Sequence, residues 1–200
     1  MDDLHSHTTY KPVLEEIPRP EDRGTNIKEV VREIVETVAL ALVIFLLVRL
    51  VAQNFRIEGS SMEPNLHNGQ FLIVNKLVYY LHPPERGDVI VFQAPDSPRK
   101  DYIKRVVGLP GEEVEIVDGQ VLVNGLRLEE IYIAEPGSRS WGPEVVGDFE
   151  YLVLGDNRRN SRDSTNWGML DGNAIIGKGW ICYWPPQDFG LVPHYDFVSG

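Results

Sequence analysis

Two adjacent serines, Ser60 and Ser61, carry hydroxyls that the local sequence is suited to present as a nucleophile. Gly59 precedes them and allows a sharp backbone turn, while Pro64 fixes φ just downstream. A serine between these residues is predicted to stay exposed in one geometry, directly before Met62. The alternative is an ordinary turn that follows the apolar segment of the chain.

Lys104 lies in an apolar stretch whose pattern predicts a strand over residues 102–107. Strand alternation places its side chain on the same face as Tyr102 and Val106. Burial on such a face lowers the pKa of a lysine, and a neutral lysine can serve as general base to a serine hydroxyl. An edge-strand lysine that reaches solvent is the competing interpretation.

A polar loop, GDNRRNSRDSTNWG at residues 155–168, follows a predicted strand at 150–154. Its carboxylates, amides, hydroxyls and guanidinium groups are typical of loops that support a site through side-chain hydrogen bonds. The same composition also suits a polar surface turn or a weak cation site. The loop alone therefore does not decide between these functions.

The one strongly apolar segment of the chain begins after Asn26, a candidate helix N-cap with Glu29 at the capping-box spacing. We predict a continuous helix over residues 27–52. Its stretch 34–52 has about the length of a bilayer span, with a charge near each end that can reach the interface. Lys and Arg in excess before this stretch predict a cytoplasmic N-terminus. A buried helix of a soluble protein is the alternative.

After residue 54 the pattern changes to short apolar stretches that are separated by turn signals. Hairpin turns are predicted at Asp118-Gly119 and Asn124-Gly125. We therefore predict a mainly β fold, an antiparallel β-domain behind an N-terminal transmembrane helix. The predicted strands are 70–76, 88–92, 102–107, 113–117, 120–123, 150–154, 174–177 and 180–184. Residues 185–200 are predicted to form a tail packed on the surface.

These patterns divide the 200 residues into a disordered cytoplasmic arm at 1–25, an anchor helix at 26–53 and an extracytoplasmic β-domain at 54–200. The net charge of −11 argues against nucleic acid as a partner, because it leaves no basic excess for phosphates. The single cysteine, Cys182, excludes an intrachain disulfide. The histidines are scattered and support no metal site, and we expect no cofactor.

Four segments, in this order along the chain, closely resemble the motifs of the type I signal peptidase family. GSSMEPNL at 59–66 resembles its nucleophile box, and RGDVIVF at 86–92 resembles the strand motif that follows. YIKRVVGLPG at 102–111 resembles its lysine box, and the loop 155–168 its last box. One such motif is a weak signal, but four in order are specific. The resemblance implies a membrane-bound serine endopeptidase that removes signal peptides from exported preproteins with a Ser-Lys dyad.

The resemblance also implies a role for each matching residue. Ser61, directly before a methionine, is the expected nucleophile. Lys104 is the expected general base, which accepts the serine proton and later activates the deacylating water. Ser161 is expected to hydrogen-bond to Lys104 and orient it, and Asp156 to pair with Arg105.

Other matching positions are expected to shape the last loop and the substrate pockets. Asp163 belongs to the loop, but Thr165 replaces the arginine expected two residues later, so Asp163 lacks that partner. Gly59 stands where part of the family has an oxyanion-donating serine, so we expect the Ser61 amide to donate, with Ser60 left open as a second donor. The residues matched to the shallow pockets for small side chains at −1 and −3 are Phe55, Ile57, Leu66, Tyr102 and Ile103.

Two other functions share some of these features. Self-cleaving repressors use the same dyad, but they are soluble and cut an Ala-Gly or Cys-Gly bond of their own, and this chain contains neither dipeptide. A non-catalytic, membrane-tethered β-module that binds peptides is the other alternative. It is favoured if Ser61 and Lys104 lie far apart, whereas a dyad needs Oγ and Nζ within hydrogen-bond reach. If the two residues form a dyad, we expect signal-peptide-bearing preproteins and the lipid bilayer to be the partners of this chain.

Overall fold

The chain is mainly antiparallel β, as its sequence predicts, in a computed structural model that describes residues 26–195 and 197. The helices are α1 (Ile27–Val51), α2 (Val78–Leu81) and α3 (Ser164–Trp167). The strands are β1 (Ala52–Arg56), β2 (Phe71–Asn75), β3 (Val89–Gln93), β4 (Asp101–Gly108), β5 (Glu113–Val117), β6 (Gln120–Val123), β7 (Leu126–Arg127), β8 (Trp141–Val145), β9 (Glu150–Leu154), β10 (Leu170–Asp171), β11 (Ile175–Trp184) and β12 (Gly190–Leu191).

Helix α1 begins directly after Asn26, whose side chain accepts a hydrogen bond from the Lys28 amide at 3.3 Å. The chain divides into two compact units, Met1–Val43 and Ile44–Gly200, and α1 crosses the division. In the described part of the chain, no helix is both long and apolar enough to cross a membrane. The predicted span is therefore not confirmed. The predicted disordered arm lies outside the described residues.

The larger sheet has the strand order β1-β2-β11-β3-β4-β9-β10, and β12 pairs with β11. Every neighbouring pair is antiparallel. Lys104 in β4 lies opposite Ile90 of β3, and the next residue, Arg105, lies opposite Val89 on one side and Leu154 of β9 on the other. Strand β4 is thus a central strand, which contradicts the interpretation of Lys104 as an edge-strand lysine.

The smaller sheet has the order β7-β6-β5-β8 and contains both predicted hairpin turns. Asp118 and Asn124 have φ of 49° and 51°, and the glycine after each has φ of 81° and 76°. Consecutive positive φ values are the requirement of the tight hairpin turns that Asp-Gly and Asn-Gly favour. The two predicted turns are confirmed.

Several strands lie outside the predicted pattern. Strand β1 occupies residues assigned in part to the anchor helix, and β11 is one continuous strand where two were predicted, because Gly177 and Gly179 interrupt its apolar pattern. Strand β8 contains a glycine and a proline and lies at a sheet edge, where proline is tolerated. The described part of the predicted surface tail is mostly exposed or half-buried, but it also forms β12 against β11, and Val192, only 2% exposed, belongs to the core.

Candidate active site

Ser61 and Lys104 meet in the structure although 43 residues separate them. Lys104 Nζ lies 2.7 Å from Ser61 Oγ and 2.8 Å from the carbonyl oxygen of Ile103. The distance to Ser61 lies in the range of a hydrogen bond and allows direct proton transfer. The alternative of a non-catalytic peptide-binding module, which a long distance between the two residues would favour, is not favoured by this contact.

The turn that carries Ser61 is fixed on both sides. Before it, Gly59 has φ of +94°, a conformation that glycine adopts without strain, and its amide donates to Asn68 Oδ1 at 2.9 Å. After it, Met62 and Leu66 are 1% and 2% exposed and belong to the core beneath the larger sheet. Each buried side chain of this size contributes about 1.5–3 kcal/mol, so the serine rests on a firmly anchored segment.

Lys104 is buried, with 4% of its surface exposed. This burial lowers its pKa to about 8, while the nearby carboxylates of Asp163 and Asp156 oppose the shift. The physical cause is the loss of hydration, which disfavours the charged ammonium. At a pKa of about 8, roughly a tenth of Lys104 is neutral at pH 7 and more at higher pH, and only the neutral amine can accept a proton.

Arg105 and Asp156 form the pair that the resemblance implies, and the pair is bidentate. Arg105 Nε donates to Asp156 Oδ1 at 2.9 Å, and Nη2 donates to Oδ2 at 2.7 Å. Both side chains are fully buried. The Asn65 side-chain amide also donates to Asp156 Oδ2 at 2.8 Å, which ties the serine segment to the loop after β9.

Ser161 does not make the predicted hydrogen bond to Lys104. Its Oγ is buried and has no hydrogen-bond partner within the described residues. The side chain instead lies against Gly155, where a Cβ would overlap Ser161 Oγ and come within 2.5 Å of the Ser61 carbonyl oxygen. Gly155 therefore lets Ser161 and Ser61 approach each other closely.

Asp163 lacks the arginine expected at position 165, as predicted, but a guanidinium from another segment lies at ion-pair distance. The partner is Arg139, whose Nη1 lies 3.8 Å from Asp163 Oδ1 and donates to Thr165 Oγ1. This guanidinium comes from the segment before β8 and not from the last loop. Asp163 also accepts a hydrogen bond from the Gly155 amide at 3.1 Å.

Comparison with known proteins identifies the family of this chain. The family model "Signal peptidase, peptidase S26" matches residues 28–184. The chain belongs to this family. A signal peptidase I from Leptolyngbya laminosa is 43% identical over 164 residues, which cover 78% of this chain and 81% of that protein. A probable signal peptidase I-2 from Synechocystis sp. is 41% identical (80% and 76% covered), and a signal peptidase I from Bacillus licheniformis is 34% identical (82% and 95% covered).

Ser61 and Lys104 of this peptidase line a cleft of about 470 Å³. Three of the five residues predicted to bind substrate, Phe55, Tyr102 and Ile103, line the cleft together with Ser61 and Lys104. The other two do not line it. Their side chains, those of Ile57 and Leu66, are each 2% exposed and pack in the core, because they follow the buried face of the serine segment.

The backbone around Ser61 leaves the Ser61 amide available as a donor. The Asn157 amide donates to the Ser61 carbonyl oxygen at 3.0 Å. No acceptor among the described residues takes the amide hydrogen of Ser61 itself. Ser60 Oγ accepts a hydrogen bond from the Asn160 side chain at 2.9 Å, which holds it toward the last loop.

Two residues that contact the site, Arg139 and Asn65, were not predicted from the sequence. Arg139 belongs to none of the four motifs and reaches Asp163 only through the fold. Asn65 lies inside the serine motif, and its contacts with Asp156 and with the Tyr132 carbonyl oxygen (2.7 Å) give a structural reason for an amide there. The motif position was the available signal for Asn65, whereas Arg139 had none.

Proposed function

We propose that this peptidase cleaves signal peptides from exported preproteins, with Ser61 as nucleophile and Lys104 as general base. The observation that carries the proposal is the 2.7 Å contact between Ser61 Oγ and the buried Lys104 Nζ. Membership of the signal peptidase family supports the substrate class. Serine–base contact is the arrangement that nucleophilic catalysis requires.

The reaction follows from this contact. Lys104 takes the proton of Ser61 as Oγ attacks the carbonyl carbon of the scissile bond, and the Ser61 amide donates to the oxygen that becomes negative. Lys104 then gives its proton to the leaving amine as the peptide bond breaks, and an acyl-enzyme ester remains. In the second half, Lys104 removes a proton from water as the water attacks the ester, and then gives that proton to Ser61 Oγ as the ester bond breaks, so that the serine and the neutral lysine are restored.

The supporting residues hold this arrangement in place. We assign to the pair of Arg105 and Asp156 the task of fixing β4 against the loop after β9, because both charges are buried and fully paired. Asp163 holds the same loop through the Gly155 amide. Among the predicted substrate contacts, Phe55, Tyr102 and Ile103 are assigned to the small side chains before the cleavage site, since they line the cleft beside Ser61.

We further infer that the peptidase works at the cell membrane, with α1 as the membrane-associated element and residues 54–200 outside the cytoplasm. Large apolar side chains along residues 38–48 of α1 are all more than half exposed, and an exposed helix that is apolar all round is typical of contact with lipid. Lys and Arg residues precede this stretch in excess, which favours a cytoplasmic N-terminus.

Replacement of Ser61 by alanine tests the proposed nucleophile. We expect the purified full-length Ser61→Ala variant to lose cleavage of a preprotein in trans, because no other hydroxyl contacts Lys104 Nζ within the described residues. Ser60→Ala is the matched control and should retain most activity. Full activity of Ser61→Ala on the same preprotein would refute the assignment.

A further inference from the structure

Arg139 contacts two residues of the last loop, 155–168, which packs beside Ser61 and Lys104. Its guanidinium donates to Thr165 Oγ1 and lies 3.8 Å from Asp163 Oδ1. Thr165 in turn donates from its hydroxyl to Asp163 Oδ1 at 2.8 Å. One side of the Asp163 carboxylate is therefore held by Arg139 and Thr165 together.

The other side of the same carboxylate faces the active site. Asp163 Oδ2 accepts the Gly155 amide at 3.1 Å. Gly155 packs closely against Ser161 and the Ser61 carbonyl oxygen, because a Cβ at this position would overlap Ser161 Oγ and lie 2.5 Å from that oxygen. The carboxylate thus links the guanidinium of Arg139 to the backbone that carries Ser61.

We propose that Arg139 is a positioning residue of this peptidase, which holds Asp163 and thereby sets the position and the electrostatic environment of the Ser61–Lys104 dyad. The proposal rests on the proposed function of these two residues. Arg139 touches neither reacting atom and acts only through Asp163 and Thr165. Its position in the sequence, outside all four motifs, gives no hint of this role.

The charges around Lys104 give the proposal a measurable consequence. The carboxylates that act on Lys104 are Asp163 and Asp156, and both favour its charged form. Arg105 neutralises Asp156 in a buried bidentate pair. Within the described residues, Arg139 is the cation at ion-pair distance from Asp163, and its side chain is 42% exposed. Loss of this charge leaves the Asp163 carboxylate uncompensated, so Lys104 holds its proton to higher pH.

The test is the pH dependence of kcat/KM for preprotein cleavage by full-length Arg139→Gln beside wild type. We expect the rising limb to move to higher pH by about 0.3–0.7 unit, with a loss of about 2- to 5-fold below the limb, as for an ion pair at a partly exposed site. Arg159→Gln is the matched control, because Arg159 belongs to the same loop as Asp163 but does not contact it. Arg159 pairs instead with Glu135 at 2.6 Å, and both side chains are exposed. The limb of Arg159→Gln should stay at the wild-type pH.

A second-site variant separates positioning by charge from a general structural effect. Thr165 lies next to Asp163, so an arginine at this position can supply the missing cation locally. We expect Arg139→Gln with Thr165→Arg to return the limb to the wild-type pH, and Arg139→Lys to shift it less than Arg139→Gln. If Arg139→Gln is too unstable to assay, Arg139→Lys and the double variant carry the comparison.

An unshifted limb in Arg139→Gln overturns the proposal, whether or not its overall activity falls. A shifted limb that Thr165→Arg does not restore overturns it as well. Failure of the underlying function gives a different result, since Ser61→Ala assayed in the same series would then keep its activity. The two failures are therefore distinguished within one experiment.

Discussion

Gly155 has no room for a side chain, because three chain segments meet beside it. A Cβ at this position would overlap Ser161 Oγ and lie 2.5 Å from both Ser161 Cβ and the Ser61 carbonyl oxygen. The Ser61 contact involves backbone, which cannot rotate away as a flexible side chain does. The absence of a side chain at Gly155 is thus a condition for the position of the nucleophile.

We predict that Gly155→Ala reduces kcat/KM by about 100-fold, the scale expected when a reacting group moves by about 1 Å. The physical reason is displacement of the Ser61 backbone away from Lys104. The matched control is Gly190→Ala, since an added Cβ there meets nothing within 4 Å. Preprotein cleavage by both variants is the measurement, and wild-type activity of Gly155→Ala would contradict the predicted close approach.

Sequence patterns led to the two residues that meet in the structure, but they were weaker on those that support them. Ser61 lies in a glycine-proline turn and Lys104 in an apolar strand. These local patterns are enough to predict an exposed hydroxyl and a buried amine. The contact of Arg139 with Asp163 joins segments that no local pattern relates. The predicted Ser161–Lys104 hydrogen bond failed for a similar reason, because the rotamer of a buried serine depends on packing that the sequence does not reveal.

Strand β4 presents two buried charged side chains, Lys104 and Arg105, to opposite faces of the larger sheet. Arg105 lies on the face opposite to Lys104. Beyond the pair with Asp156, its Nη1 donates to the carbonyl oxygens of Gly87 at 2.8 Å and Pro193 at 2.9 Å. Its guanidinium also lies over the adjacent rings of Tyr132 and Tyr195, with Cζ 4.4 and 4.9 Å from their centroids. The arginine thereby joins β4 to the segments before β3 and after β12.

We predict that Arg105→Gln lowers the free energy of unfolding by about 3–5 kcal/mol, the usual cost of removing one partner from a buried ion pair. The Asp156 carboxylate would remain fully buried with only the Asn65 amide as a side-chain donor. Urea denaturation of the full-length chain is the measurement. Arg159→Gln, an exposed arginine, should change stability by less than about 0.5 kcal/mol. Equal effects of the two substitutions would contradict the structural role of Arg105.

Most strands followed from apolar alternation and from turn residues, and the exceptions have physical causes. Strand β1 continues directly from α1, so no turn signal marks its start. Strand β8 pairs at an edge and carries little apolar alternation. The segment after β12 has a weak pattern, yet His194 Nε2 bonds the Gly179 carbonyl oxygen at 2.8 Å and Val192 is buried. Long-range packing, rather than local preference, determines these three.

At the scale of the whole molecule, orientation relative to the membrane is the main open prediction. Flanking positive charges favour a cytoplasmic N-terminus, so the part of the chain with Ser61 and Lys104 is expected outside the cytoplasm. We predict that protease added to intact spheroplasts digests residues 54–200 and spares an N-terminal epitope tag. Disrupted spheroplasts are the control, in which both parts should be digested. Protection of residues 54–200 in intact spheroplasts would reverse the proposed orientation.

The central claim is that neutral Lys104 takes the proton of Ser61, and the pH dependence of Lys104→Arg tests it most directly. In wild type, kcat/KM should rise with pH through about 8, the lowered pKa of Lys104, because only the deprotonated amine is a base. An arginine keeps the positive charge and much of the length, but it does not lose its proton in proteins. We predict that Lys104→Arg is inactive at every pH at which wild type cleaves a preprotein. Substantial turnover by Lys104→Arg would contradict the account, since a fixed cation would then suffice.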